Sequence, residues 1–183
     1  MRFEDILKDG RLWAVIYDGD SENIFVKTFN NWLDPLYLES FLTQNQKDLE
    51  SYFKITNIDE AIFGTISEAK ALALVILDIS PDANLDRLFQ PLENSRMNEM
   101  ILSREKAKGL KKPSWIRLYA IKIESGVFII TGGAIKLTRT MAERQHTLNE
   151  LREMEFVRNH LISNGVFDLA SMKDYIHNDD ERN

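Results

Sequence analysis

Leu12-Trp13-Ala14-Val15-Ile16-Tyr17 is an unbroken apolar and aromatic run that stops at Asp18-Gly19-Asp20, which predicts a strand closed by a turn. Beyond it, Phe25, Phe29, Trp32 and Leu33 recur three and four residues apart, the period of an amphipathic helix, with Ser21 available to cap it. Asp34 before Pro35 predicts the start of a second helix, because a carboxylate accepts from the first free N–H groups and proline's fixed φ suits the first helical position. That helix carries Leu38, Phe41, Leu42, Leu49 and Phe53. Asn57, with Asp59 and Glu60 in the following turn, opens a third through Ile62, Ile66, Ala69, Ala73 and Ile76, weakened at Gly64 and ended before Ser80-Pro81. A brief helical turn around Leu85, Leu88 and Phe89 precedes Pro91. From 93 to 112 the chain turns polar and then basic, with Gly109 and Pro113 as punctuation, and reads as a mobile loop or short helix.

The strongest local pattern spans 115–136. Two β-rich runs, WIRLYAIKIE and VFIITGGAIK, flank Ser125-Gly126, which is what a two-residue hairpin requires. Pairing Glu124 with Val127 sets Tyr119 opposite Gly132, Arg117 opposite Ala134 and Trp115 opposite Lys136. Alternation then gives Trp115, Arg117, Tyr119, Ile121 and Ile123 one face with Phe128, Ile130, Gly132, Ala134 and Lys136. The missing bulk at Gly132 and Ala134 predicts a shallow recess between larger polar groups. A last long helix follows over 148–163, with Thr147-x-x-Glu150 as its capping box and Asn164-Gly165 as its stop. A short amphipathic helix over 168–177 precedes a polar tail, 178–183, expected to fray.

These elements predict one α+β domain over 1–183. Its antiparallel sheet, built from 12–17 and the hairpin 115–137, is covered by N-terminal helices and packed by a C-terminal amphipathic helix. Within it, 20–112 is mostly helical and acidic, and 113–165 is a basic hairpin plus helix. Composition agrees: 44% hydrophobic and 28% charged residues, with no cysteine, describe a globular chain without disulfides or thiolate zinc sites. The first eight residues lack the apolar core of a signal peptide, and no stretch approaches the roughly 18 apolar residues of a membrane span, so the cytoplasm is the expected compartment. The net charge of −6 hides a segregation: residues 101–144 carry 10 Lys and Arg against 3 Asp and Glu, inside an otherwise acidic chain. Such a block attracts a polyanion, or docks on an acidic surface of the chain or of a partner.

Histidines at 146, 160 and 177 have no metal-site spacing, and Thr131-Gly132-Gly133 matches no nucleotide-binding loop, so neither a metal nor a cofactor is expected. What remains is a polar cluster: Arg117, Tyr119, Lys136, Arg139, Arg144 and His146, with Lys111 and Lys112 as further phosphate contacts. Cleaving RNA through its own 2′-hydroxyl needs a base, cations for the developing phosphorane charge and a donor for the departing oxygen. Arginine and lysine hold charge, and tyrosine or histidine moves protons or stacks on a base. The same set equally suits plain phosphate binding, a sheet face that holds an acidic peptide or protein without catalysis, or a rim that keeps the sheet solvated.

At these residues the stretch RLYAIKIESGVFIITGGAIKLTRTMAER resembles the C-terminal sheet of the RelE/HigB-like bacterial toxins. In that family an Arg and an aromatic on one strand are followed by a turn, an apolar strand and a Lys-x-x-Lys-Thr-Pro tail entering a helix. Lys136 matches the first Lys of the tail, Arg139 stands at the second, Thr140 matches Thr, Met141 replaces Pro, and Glu143 falls near the helical acid. The resemblance covers about 30 residues. It implies a small α+β domain acting as a metal-independent endoribonuclease on messenger RNA, often on the ribosome. It also implies silencing by an antitoxin of helix-turn-helix type. Arg117, Lys136 and Arg139 then serve as transition-state cations, and Tyr119 or His146 serves in proton transfer or base stacking.

Overall fold

The chain opens with β1 (Arg2–Asp5), which folds back on β2 (Leu12–Ile16). The computed structural model describes residues 1–92, 102–110 and 113–180, so Lys111 and Lys112 lie outside the described residues. Helix α1 (Ile24–Leu33) is capped by Asn23 rather than Ser21: its side chain accepts from the Val26 N–H at 2.9 Å and donates to Glu4 at 2.7 Å. Asp34 caps α2 (Pro35–Gln44) as its sequence predicts, with Pro35 at the first helical position. The helix expected to continue through Phe53 instead breaks at Asn45. A short α3 (Gln46–Asp48) and one π-helical turn, Leu49–Phe53, carry the chain on. Asn57 then caps α4 (Ile58–Leu77).

The second half supplies β3 (Gln90–Pro91), β4 (Ser103–Lys108), β5 (Ile116–Glu124) and β6 (Val127–Ile135), then α5 (Gln145–Ser163) and α6 (Leu169–Asp180). The stretch 20–112 is therefore not only helical, and the part of 93–112 that is described contains a strand. Of the tail expected to fray, 178–180 belongs to α6.

The six strands form one sheet in the order β1-β2-β6-β5-β4-β3. It is mixed rather than antiparallel throughout: β2 runs parallel to β6, with Leu12 beside Phe128 and Ala14 beside Ile130. Hairpin connections generate antiparallel neighbours, whereas β2 reaches β6 only after the long excursion through α1–α4, which permits the parallel arrangement.

Two apolar layers sandwich the sheet. Leu12, Ala14, Ile116, Leu118, Ala120, Phe128 and Ile130 pack with Phe25, Phe29, Trp32, Leu38 and Leu72 of α1, α2 and α4. On the other face, Trp13, Val15, Ile121, Ile123 and Ile129 pack with Val157 and Leu161 of α5 and Met172 of α6. Burial of each of the larger of these side chains contributes about 1.5–3 kcal/mol, so both layers hold the sheet against its helices.

The hairpin has the expected terminal register, Glu124 with Val127, Tyr119 with Gly132 and Arg117 with Ala134, but reaches it through two irregularities. Thr131 on β6 and Ile123 on β5 are each an extra residue. Between them the pairing shifts by one, to Ala120 with Ile130 and Lys122 with Phe128. An inserted residue inverts the alternation of side chains beyond it. Phe128 and Ile130 therefore face α1 and α4, away from Tyr119, contrary to the uninterrupted alternation read from the sequence. Trp115 also lies on that side, its indole N–H donating to Thr65 Oγ1 of α4 at 2.8 Å. The carbonyl of the extra Thr131 accepts from the Tyr17 hydroxyl at 2.6 Å.

Candidate anion-binding recess

Strand β4 adds what the hairpin alone lacks. Its register sets Lys108 beside Arg117 and Lys106 beside Tyr119, while Glu105 and Ala107 alternate away and are buried. Across the sheet Arg117 continues to Ala134 and Tyr119 to Gly132, and Lys136 follows β6 directly. A recess of about 560 Å³ opens over this grid. Lys106, Lys108, Arg117, Lys136 and Arg139 line it, with Tyr119 and Thr140, and among the described residues no acidic side chain does so. Leu92, Met141, Ala142 and Leu151 complete the wall.

Several cations are fixed by the backbone. Lys136 Nζ donates to the carbonyls of Thr138 and Arg139, 2.6 Å each, which ties down the segment after β6. Lys106 Nζ donates to the Leu92 carbonyl at 2.6 Å, and Arg117 Nη1 to the Ile116 carbonyl at 2.7 Å. Carbonyls satisfy these donors without neutralising them. Burial, then Lys108 and Arg117, holds the Lys106 ammonium below the ordinary lysine range. Burial, then chiefly Arg117, does the same to Lys136. Lys108 and Arg139 are exposed.

Tyr119 is fully buried over Met141 and Met154, and its hydroxyl has no hydrogen-bond partner among the described residues. Burial, reinforced by the charge of Glu150 and opposed by Arg117, pushes the phenol up, so it stays protonated and can only begin as a donor.

Glu150 is the residue that sequence reasoning misassigned. The capping box is formed seven residues earlier, by Thr140 and Glu143 around the 3₁₀ turn Met141–Glu143. Thr147 instead donates to the carbonyls of Met141 and Arg144. Glu150 is thereby free to turn onto the sheet, where its carboxyl fills the space over Gly132 and accepts from the Gly133 N–H. A Cβ at Gly132 would fall inside that carboxyl. The room predicted above Gly132 is thus occupied, and the recess lies displaced toward Lys106, Lys108 and Lys136. Burial first, and the neighbouring Glu153 second, push the Glu150 carboxyl up to about 8.

The other candidates lie elsewhere. Arg144 makes a two-pronged pair with Asp48, Nε to Oδ2 at 2.6 Å and Nη2 to Oδ1 at 2.5 Å, beside a separate polar hollow. The break in the second predicted helix is what presents Asp48 to it. His146 Nε2 lies 2.9 Å from the Ile135 carbonyl, which can only accept, so that nitrogen carries the proton; the ring stands edge-on to Phe41 at 5.0 Å. Neither residue lines the recess. The expected Lys111 and Lys112 lie outside the described residues, while Lys106 and Lys108, unpredicted, line the recess. Their one signal in the sequence is Lys-Ala-Lys, the two-residue period of a strand with one cationic face.

Among the described residues no cluster of His, Asp and Glu has the makings of a metal site, and no helix is long and apolar enough to cross a membrane. Comparison with family models, curated proteins and solved structures returned no match.

Proposed function

We propose that the protein is an RNA-cleaving toxin of the RelE/HigB-like kind, acting on messenger RNA from the recess without a metal ion and held silent by an antitoxin of helix-turn-helix type. The observation that carries this reading is the convergence of five basic side chains on one recess, with no acid lining it among the described residues. A phosphodiester passing through a phosphorane gains negative charge, and preorganised cations stabilise that charge more than they stabilise the ground state. The same charge repels a divalent cation, in keeping with metal-independent chemistry. Helices α2 and α4 lie across the sheet from the recess, whereas α5, with Glu150, Glu153 and Glu155, packs on the recess face.

In this reading Arg117 and Arg139 hold the non-bridging oxygens and Lys136 keeps the backbone of the Arg139 segment in place. Tyr119 donates to a phosphate oxygen; a phenol held protonated by burial is a poor base. Lys106, with its ammonium held below the ordinary lysine range by burial, is the recess group assigned to proton transfer. His146, remote from the recess and bound to a carbonyl, takes no part.

The test is incubation of the purified protein with messenger RNA in excess EDTA, alongside its induction in a bacterium. The reading expects metal-independent cleavage and growth arrest, with Arg117→Ala lowering the cleavage rate by about 10²-fold or more, the scale of losing one stabiliser of transition-state charge. Intact RNA and unaltered growth with the wild-type protein contradict it. The non-catalytic alternative, a sheet face that holds an acidic protein or peptide, predicts binding without cleavage.

A further inference from the structure

Cations in the recess stand in two ranks across the sheet. One rank is Lys108 on β4 beside Arg117 on β5; the other is Lys106 on β4 beside Tyr119 on β5. Successive residues on one face of a strand lie about 6.7 Å apart, two residues at 3.3–3.4 Å each. Neighbouring phosphates on an extended nucleic-acid strand have a similar separation. A single monoanion leaves most of the positive charge in this recess uncompensated, and burial first, then the neighbouring cations, hold the Lys106 and Lys136 ammonium groups below the ordinary lysine range. The buried Tyr119 hydroxyl, without a partner among the described residues, is a second, independent sign that an acceptor binds here, since a buried donor left without a hydrogen bond is costly. Leu92, Met141 and Leu151 supply apolar wall, which inorganic phosphate has no use for and a nucleobase or ribose does.

We infer that the recess holds one nucleoside flanked by two phosphates, one on the Lys108 and Arg117 rank and the other on the Lys106 and Tyr119 rank. The chemistry is shared by the interior of a single RNA strand and by a free nucleoside 3′,5′-bisphosphate. The inference rests on the RNA reading above for its preferred source, but its geometry stands on the two ranks.

Binding is measured with a trinucleotide RNA containing two internucleotide phosphates, with the same RNA carrying a neutral methylphosphonate at one or the other of them, and with adenosine 3′,5′-bisphosphate. Cleavage is blocked in all strand probes by 2′-O-methyl substitution, which keeps the ribose. Neutralising either phosphate is expected to weaken binding about tenfold, the scale of a charge-assisted contact. Lys106→Ala is expected to weaken the parent RNA about tenfold while leaving the probe that lacks the phosphate at its rank within about twofold. Tyr119→Phe, which keeps the ring and removes only the hydroxyl, follows the same pattern. Binding of the free bisphosphate within about tenfold of the trinucleotide identifies a nucleotide ligand, and binding of the strand alone identifies RNA; either outcome supports the two-phosphate site. Full affinity with one phosphate neutralised overturns it and leaves the RNA reading standing. No binding of any probe overturns both.

Discussion

Glu150 ties the sheet, the last long helix and the recess to one protonation event. Its carboxyl sits over Gly132 and its charge is felt by Tyr17, Tyr37 and Tyr119 and opposed by Glu153. In the folded protein it titrates at about 8, against an ordinary glutamate value of 4.5. Between those values the native state keeps a proton that the unfolded chain releases, so stability falls as pH rises across that window. Urea unfolding of the wild type at pH values near each end of the window is expected to show this loss. Glu150→Gln, neutral at every pH, removes the slope and is expected to stabilise the fold at the alkaline end by on the order of 2 kcal/mol. A parallel pH dependence in wild type and variant refutes the assignment. Between residues 140 and 150 the Thr-x-x-Glu pattern occurs twice, at Thr140 and at Thr147, and nothing local distinguishes them. Helix α5 starts at Gln145, immediately after the first pattern, so the second falls inside the helix and its glutamate turns to the sheet.

At the level of the element, the hairpin that carries Arg117 and Tyr119 is pinned at its tip by a residue 39 positions away. Ser125 Oγ donates to Asp86 at 2.8 Å, the Gly126 N–H donates at 3.3 Å, and Lys122 Nζ pairs with the same carboxylate at 2.9 Å. Gly126 needs its left-handed φ of 77° for the tight turn. Burial raises the Asp86 carboxyl, but these partners outweigh it and hold it below the ordinary range. A depressed carboxylate contributes stability above its unfolded pKa and loses it as pH falls through the folded one. Asp86→Ala is therefore expected to lower stability by about 1 kcal/mol at neutral pH, read by thermal unfolding, with the deficit shrinking in acid. A deficit that persists unchanged in acid rules out the ionic part of this account. The hairpin and its turn were legible because strand propensity, turn chemistry and length agree locally. Strands β1 and β4 were not: RFED and SREKAK have no apolar run, and each becomes a strand through backbone pairing with β2 and β5. The bulge at Thr131 was equally invisible, since it is set by how β6 meets its neighbours.

For the molecule as a whole, the basic segment of the chain becomes the floor and rim of one recess. The basic segment folds as β4, β5, β6 and the turn after them, and its recess faces α5. Helices α2 and α4 cover the opposite face, and a chain of net charge −6 presents a cationic hollow. The residues that collect there were half legible. Arg117, Tyr119, Lys136 and Arg139 follow from the hairpin and its continuation, whereas Lys106 and Lys108 depend on the pairing of β4. Arg144 and His146, close in sequence, are drawn away by Asp48 and by the Ile135 carbonyl.

Lys108 and Arg139 are exposed, so replacing both removes charge from the recess with little cost to the fold. The most direct measurement compares wild type with the Lys108→Ala/Arg139→Ala double variant for affinity to one single-stranded RNA, at about 50 and about 200 mM salt. The wild-type affinity should fall with salt at a slope near −0.7 for each phosphate held. The variant should unfold at the same temperature, bind about tenfold more weakly and show a shallower slope. Equal affinity and equal salt dependence in the two proteins would remove RNA from this recess.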